Sequence, residues 1–313
     1  MDGGNHAIRT LSLPDRGLVG LGGGDARTFL QNLVSNDVRR VGSSQAIYSL
    51  LLTPQGKFLH DFFIAEVAAE GAAPGLVLDC ERDRVDDLIR RLTFYRLRAD
   101  VAINDLSDRF AVHVAFGPDD AATLNLEPAP GAARTEANGA VFVDPRLSDL
   151  GVRAILPVGR SLDLPLARHG DRDDYELLRL NLGVPDGSRD LEIERTFPLE
   201  ASLDQLHAID YRKGCYIGQE LTARTHYRAT LRNRLFPVAV DGPLPPAGAQ
   251  VLLDERIAGE VRSGSGDRAL AMLRLALVDE STRSGARLTA GNAMLVPIRP
   301  EWMATADPAA TSQ

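Results

Sequence analysis

The sequence predicts an α+β protein of more than one domain that ends in a small β-barrel. Three observations predict it. Strand-like and helix-like runs mix through most of the chain without the regular alternation that builds a doubly wound sheet. The composition shifts at Asp241-Gly242-Pro243-Leu244-Pro245-Pro246. Beyond that point the apolar runs are short and strand-like, the pattern of a barrel or sandwich.

The elements follow in order. From Asp25 to Val38 the residues Phe29, Leu30, Leu33 and Val34 form one apolar face, which predicts a helix capped by Asp25. Ile47 to Leu52 and Phe58 to Val67 read as strands around a turn at Pro54-Gln55-Gly56, and Leu76 to Cys80 as a third. Asp83 opens a helix whose Val85, Leu88, Ile89 and Leu92 fall on one side. Val101 to Leu106 returns to strand, and Phe110, Val112, Val114 and Phe116 alternate as a half-buried strand does. Pro128 to Ala140, rich in Ala, Gly and Pro, reads as a surface loop. Asp173 to Leu182 is a helix closed by Gly183 and Pro185. Strands are expected at Gln250 to Leu253, Ile257 to Arg262, Ala269 to Leu275 and Ala293 to Ile298, and the tail after Trp302 reads as disordered. The expected division is 1–232 for the α+β region, with a subdomain break near 107–112, then 233–305 for the barrel and 306–313 for the tail.

Composition excludes several functions. The 44% hydrophobic and 25% charged content is that of a water-soluble globular chain. No apolar stretch is long enough to span a membrane. A net charge of −8 opposes binding along a phosphate backbone, so no nucleic-acid partner is expected. Met1 to Arg9 shows neither a secretory signal nor an arginine-rich transit pattern. The expectation is a bacterial cytoplasmic protein, or a mitochondrial-matrix one if the chain is a processed eukaryotic form. Two cysteines make no disulfide framework. The six histidines form no metal-ligand spacing, so no resident metal site is expected. Gly20-x-Gly22-Gly23-Gly24 fails the dinucleotide fingerprint, because Asp25 stands where the third glycine belongs.

One run concentrates the chemistry: Lys213-Gly214-Cys215-Tyr216-Ile217-Gly218-Gln219-Glu220. Positive charge from Arg212 and Lys213 would favour the thiolate of Cys215. Gly214 and Gly218 suggest a tight turn or a close approach. If Gln219-Glu220 starts a helix, Cys215 lies just ahead of its N-terminus.

With Arg224, this run resembles the signature of the folate-binding YgfZ family, which includes the Iba57-type iron–sulfur assembly factors and is related to the glycine cleavage T-protein, an aminomethyltransferase. Other stretches match the family pattern: Phe29 to Val38, Pro54-Gln55-Gly56-Lys57, Tyr95-Arg96-Leu97-Arg98, Asp144-Pro145-Arg146 and Phe197-Pro198-Leu199-Glu200. So do the barrel segments Gly259-Glu260-Val261 and Leu270 to Arg274. The resemblance implies a multi-domain T-protein-like body with a central folate channel, followed by a barrel. It implies Cys215 and Lys213 as the reactive residues. It also implies tetrahydrofolate, or a folate derivative, held by Asn36, Asp37, Asp61, Tyr95, Arg179, Tyr216, Gln219, Glu220 and Arg224.

Two departures separate the chain from the transferase branch. The T-protein hairpin carries paired aspartates, whereas here His60 takes the first place and only Asp61 remains. The T-protein's pterin-binding glutamate stretch is replaced by Asp144 to Gly151. The reading is therefore a tetrahydrofolate-binding accessory factor in the assembly, insertion or repair of 4Fe–4S clusters, working with assembly or client proteins. A folate-dependent aminomethyl or one-carbon transferase is the alternative, and an interaction protein with a vestigial channel is a third. A cluster asks for about four thiolates, so Cys215 could take part in cluster chemistry only with a partner.

Overall fold

The computed structural model describes residues 7–69, 72–136, 138–162, 164, 167–228 and 231–303. The chain forms two compact units that exchange segments along the sequence. The first comprises Met1–Leu51, His60–Arg172 and Leu206–Ile217; the second comprises Leu52–Leu59, Asp173–Gln205 and Gly218–Gln313. The barrel begins at Asn233 as expected, whereas the compact units cut across the expected α+β region, and residues 107–112 lie inside the first unit. The expected tail at 306–313 lies outside the described residues.

The first unit carries two sheets. One runs in the order Ile47–Leu52, Phe58–Ala69, Ala72–Glu81, Arg16–Gly22 and Ala102–Asp105. The other runs Arg168–His169, Arg9–Ser12, Phe110–Phe116, Val152–Pro157, Gly139–Val143 and Ala133–Glu136. The predicted strands at Ile47–Leu52 and Phe110–Phe116 form over the expected residues. The expected loop at 128–140 instead holds the edge strand Ala133–Glu136 and the start of its partner Gly139–Val143, with Asn138 at φ +60° between them.

The helix expected over Asp25 to Val38 stops after Ala26–Gln31. Asp25 does not cap it; its carboxylate accepts from the Asp100 backbone N–H at 2.8 Å. Tertiary partners take the backbone beyond Gln31. Val34 bridges Leu51, and the Ser35 N–H donates to the Leu50 carbonyl at 3.0 Å. Leu33 and Val34 remain buried, so the apolar pattern reports burial while the conformation follows the neighbouring strand.

Buried charge joins the two sheets. Asp79 is fully buried and accepts from Arg16 Nε and Arg153 Nη2, each at 2.6 Å. Burial alone would raise the Asp79 carboxyl, but Arg153 and Arg16 outweigh it and hold it below its ordinary value. The Arg153 guanidinium lies 4.0 Å from the Phe63 ring centre, and that of Arg146 4.8 Å from it. Arg146 is itself gripped by Asp144 through Nε at 3.0 Å and Nη2 at 2.8 Å.

In the second unit, six strands close a barrel in the order Asn233–Asp241, Arg268–Arg274, Arg256–Ser265, Gln250–Leu253, Leu288–Ala290 and Ala293–Pro297. Phe236, Val251, Leu253, Val261, Ala271 and Leu273 fill it. The helix Leu275–Ser284 begins where the sequence reading carried its strand one residue further. The predicted helix at 173–182 forms as Arg172–Leu182.

Candidate functional site

Within Lys213 to Tyr216, burial alternates sharply. Lys213 is 4% exposed and Tyr216 8%, while Cys215 is an exposed free thiol. The Asp210 carboxylate fixes the approach by accepting from the backbone N–H of Arg212 at 2.7 Å and of Lys213 at 3.2 Å.

Lys213 does not extend into solvent beside the thiol. Its ammonium donates to the carbonyls of Gln31 and Asn36, both at 2.8 Å, and to that of Val34. Gln31 ends the first helix and Val34 and Asn36 follow it, so the lysine satisfies one carbonyl the helix leaves open and two of the irregular segment beyond. Burial pushes Lys213 down to about 8. Its ammonium also lies 5.2 Å from the Tyr216 ring centre. The lysine expected to tune the thiol is thus the peg on which the Cys215 loop is mounted.

Asn36 is the second peg. Its Nδ2 donates to the carbonyls of Tyr48 and His207, both at 2.7 Å. Its Oδ1 accepts from the Asp37 N–H at 2.8 Å, and its own N–H donates to Ser49 Oγ at 3.0 Å. With these bonds made, Asn36 positions backbone and has no amide donor left for a ligand. Asp37 is pinned by the Arg39 guanidinium at 2.7 and 2.8 Å, which, against the opposing effect of burial, holds its carboxyl down at about 2. Asp61 is buried and accepts from the Tyr48 hydroxyl at 2.8 Å. Burial and the adjacent Asp61 charge push the Tyr48 phenol well above its usual range.

Beside Asn36 opens a cavity of about 230 Å³, with Asn36, Arg40, Gln45, Tyr48 and His207 on its wall. This brings one expected residue, Asn36, together with Arg40, Tyr48 and His207, which the sequence reading did not select. Nothing in their spacing marks them, since residues 40, 48 and 207 meet only through the fold.

The other expected residues stand elsewhere. Tyr95 lies 37% exposed at the end of the helix Val85–Arg96, its ring 5.3 Å edge-on to Phe94. Arg179, in the second unit, spends its guanidinium on Glu176, Asp190, Ser263 Oγ and the Val184 carbonyl, at 2.5 to 3.0 Å. It therefore has no donor to offer a folate, contrary to the expectation. Gln219, Glu220 and Arg224 sit on the helix Gln219–Arg228 of the second unit, with Glu220 and Arg224 paired in solvent at 2.9 Å. The expected start of this helix at Gln219 is observed.

Of the two glycines in the run, only Gly218 is required by its backbone. It has φ +83°, and an added Cβ would meet the Thr53 carbonyl oxygen at 2.5 Å and Gly56 Cα at 3.0 Å. Gly214 has open space around it. His60, which replaces an expected carboxylate, is 2% exposed and bonds Asp87 through Nε2 at 2.8 Å. Burial and then Arg84 hold it down at about 4, so it is neutral near pH 7 and supplies no negative charge.

Comparison with known proteins gives the family and the fold. The mitochondrial iron–sulfur cluster assembly factor IBA57 of Mus musculus is 32% identical, over 94% of this chain and 85% of its own length. The chain belongs to the IBA57 family. The Homo sapiens IBA57, also named mitochondrial, is 33% identical over 83% of this chain and 76% of its own length. Residues 232–305 match the model of the CAF17 C-terminal beta-barrel domain. The glycine cleavage system aminomethyltransferase T of Bartonella henselae superposes with a TM-score of 0.76 over 96% of this chain and 87% of that one, at 16% identity. That likeness establishes a shared fold, the mixed α/β body with its closed C-terminal barrel.

Proposed function

We propose that this protein is an accessory factor in the assembly, insertion or repair of 4Fe–4S clusters, acting through the Cys215 loop. One observation carries the reading beyond family membership: Cys215 is a single accessible thiol on a firmly mounted loop. The other cysteine, Cys80, is buried, and burial pushes its thiol up to about 12. Among the described residues no group of three His, Cys, Asp or Glu side chains could hold a metal. A cluster needs about four thiolates, so Cys215 supplies one ligand to a cluster that is cargo shared with an assembly or client protein. The names of the relatives support a mitochondrial-type setting for this work. The test is a host lacking the protein, complemented with Cys215→Ala at matched abundance and scored by 4Fe–4S enzyme activity. Full restoration would remove the thiol from the function.

A reduced folate, tetrahydrofolate or a derivative, is the small-molecule ligand in this proposal. The T-protein-like fold and the cavity beside Asn36 support it. Asn36 and Tyr48 would shape its seat, and the bound group would supply one-carbon carriage. Calorimetry with 5-formyltetrahydrofolate checks this, and no heat of binding would remove folate. A one-carbon transferase is disfavoured by neutral His60 standing where a carboxylate is needed to manage the folate amine's proton. Sustained turnover with tetrahydrofolate and an aminomethyl donor would reverse that choice.

A further inference from the structure

We infer that the cavity beside Asn36 is an anion site, in which Arg40 and His207 receive a carboxylate or phosphate group of a small molecule. The inference deepens the ligand reading of this cavity and is independent of the role of Cys215. Arg39 and Arg40 are neighbours with opposite fates. Arg39 closes a fork on Asp37, whereas the Arg40 guanidinium makes no hydrogen bond or ion pair among the described residues and borders the cavity. A planar guanidinium with free donors suits a two-oxygen anion.

His207 faces the same space. Its backbone stands at φ +60°, an uncommon conformation for a residue with a side chain, and Asn36 Nδ2 holds its carbonyl there at 2.7 Å. The imidazole has no hydrogen-bonding partner among the described residues. Burial and then the Arg40 charge favour its neutral form, so guanidinium and ring share one local field. An anion between them would reverse that preference and make the ring a second cationic donor.

The wall carries no carboxylate, although the chain has 43 acidic residues against 35 Lys and Arg. The charges around it are already committed. Asp37 is closed on Arg39, Asp210 accepts from the 212–213 backbone, and Lys213 is spent on three carbonyls. Arg40 is left with guanidinium donors that no group among the described residues takes. Ala46, Ile47, Pro130 and Pro145 complete the lining with apolar surface, so the ligand is an organic anion with an apolar portion as readily as a bare oxyanion. The glutamate carboxylates of a folate and a free phosphate present the same chemistry to Arg40.

The test follows the imidazole signals of the full chain by NMR, with sodium phosphate, L-glutamate and 5-formyltetrahydrofolate titrated separately. His207 is assigned through His207→Gln. A saturable shift of His207 is expected with at least one anion, with its pKa raised by the bound negative charge. Binding should weaken roughly tenfold in Arg40→Gln. It should also weaken as rising pH takes the proton from the bound imidazole. A response to phosphate and glutamate marks a general oxyanion site, and a response to the folate alone marks a site for its tail; both support the inference. No saturable shift with any of the three overturns it. So does binding that Arg40→Gln leaves unchanged, and that result would let folate binding itself stand.

Discussion

Arg179 in the second unit and Arg40 in the first are the same side chain in opposite circumstances. Arg179 is 4% exposed, with Glu176, Asp190, Ser263 and a carbonyl closed around it, while Arg40 stands at a cavity with no partner among the described residues. The Cys215 run repeats the contrast at close range, with Lys213 caged and Cys215 open. A closed polar group holds a fold together, and an open one is free to meet something else. A motif does not say which is which, because the partners that close a group come from distant parts of the chain.

The contrast can be broken by substitution. Arg179→Ala should have the largest effect, a loss of about 3–5 kcal/mol in urea denaturation, because Asp190 would stay buried without its cation and Glu176 would keep only Arg189. A loss near zero would show that the knot is dispensable.

Acid should open His60 next. Its folded pKa, about 4, lies below the ordinary 6.5, so the unfolded chain binds more protons between those values. Stability is therefore fully present above pH 6.5 and falls by about 3 kcal/mol as pH drops to 4. His60→Gln should flatten that slope in thermal melts taken across the window.

Lys213→Met should cost about 2–3 kcal/mol, since three carbonyls lose a charged donor. Tyr48→Phe removes the hydroxyl from buried Asp61 and should cost about 1–2 kcal/mol in the same assay. Arg40→Ala and Cys215→Ser should change stability by less than about 0.5 kcal/mol, as expected for open groups. A large destabilisation from either would falsify the distinction between closed and open positions.

Much of the fold was legible from periodicity. The Ile47–Leu52 and Phe110–Phe116 strands, the helix near 173–182 and several barrel strands follow local patterns that burial reinforces. Periodicity overextends the first helix, because Leu33 and Val34 are buried without being helical. The edge strand Ala133–Glu136 carries little strand signal of its own and forms by pairing with the buried Val141-Phe142-Val143 strand. At the site, Cys215 and Asn36 were visible as residues but not in their roles. Gly218 was recognised, although its reason, the close approach of Gly56, is a contact across some 160 residues.

The sequence by itself determined the α+β class with its C-terminal barrel, the family, and the limit that two cysteines place on cluster chemistry. Those follow from patterning, from a run of eight residues and from a count. Only the tertiary structure decided which charges are spent and which are available. Lys213 became a peg when three carbonyls converged on it, Arg179 became a knot when Asp190 and Ser263 closed around it, and Arg40 stayed open because its neighbour took Asp37. Hydrogen-bond satisfaction is a property of positions in space, and residues far apart in the chain supply it.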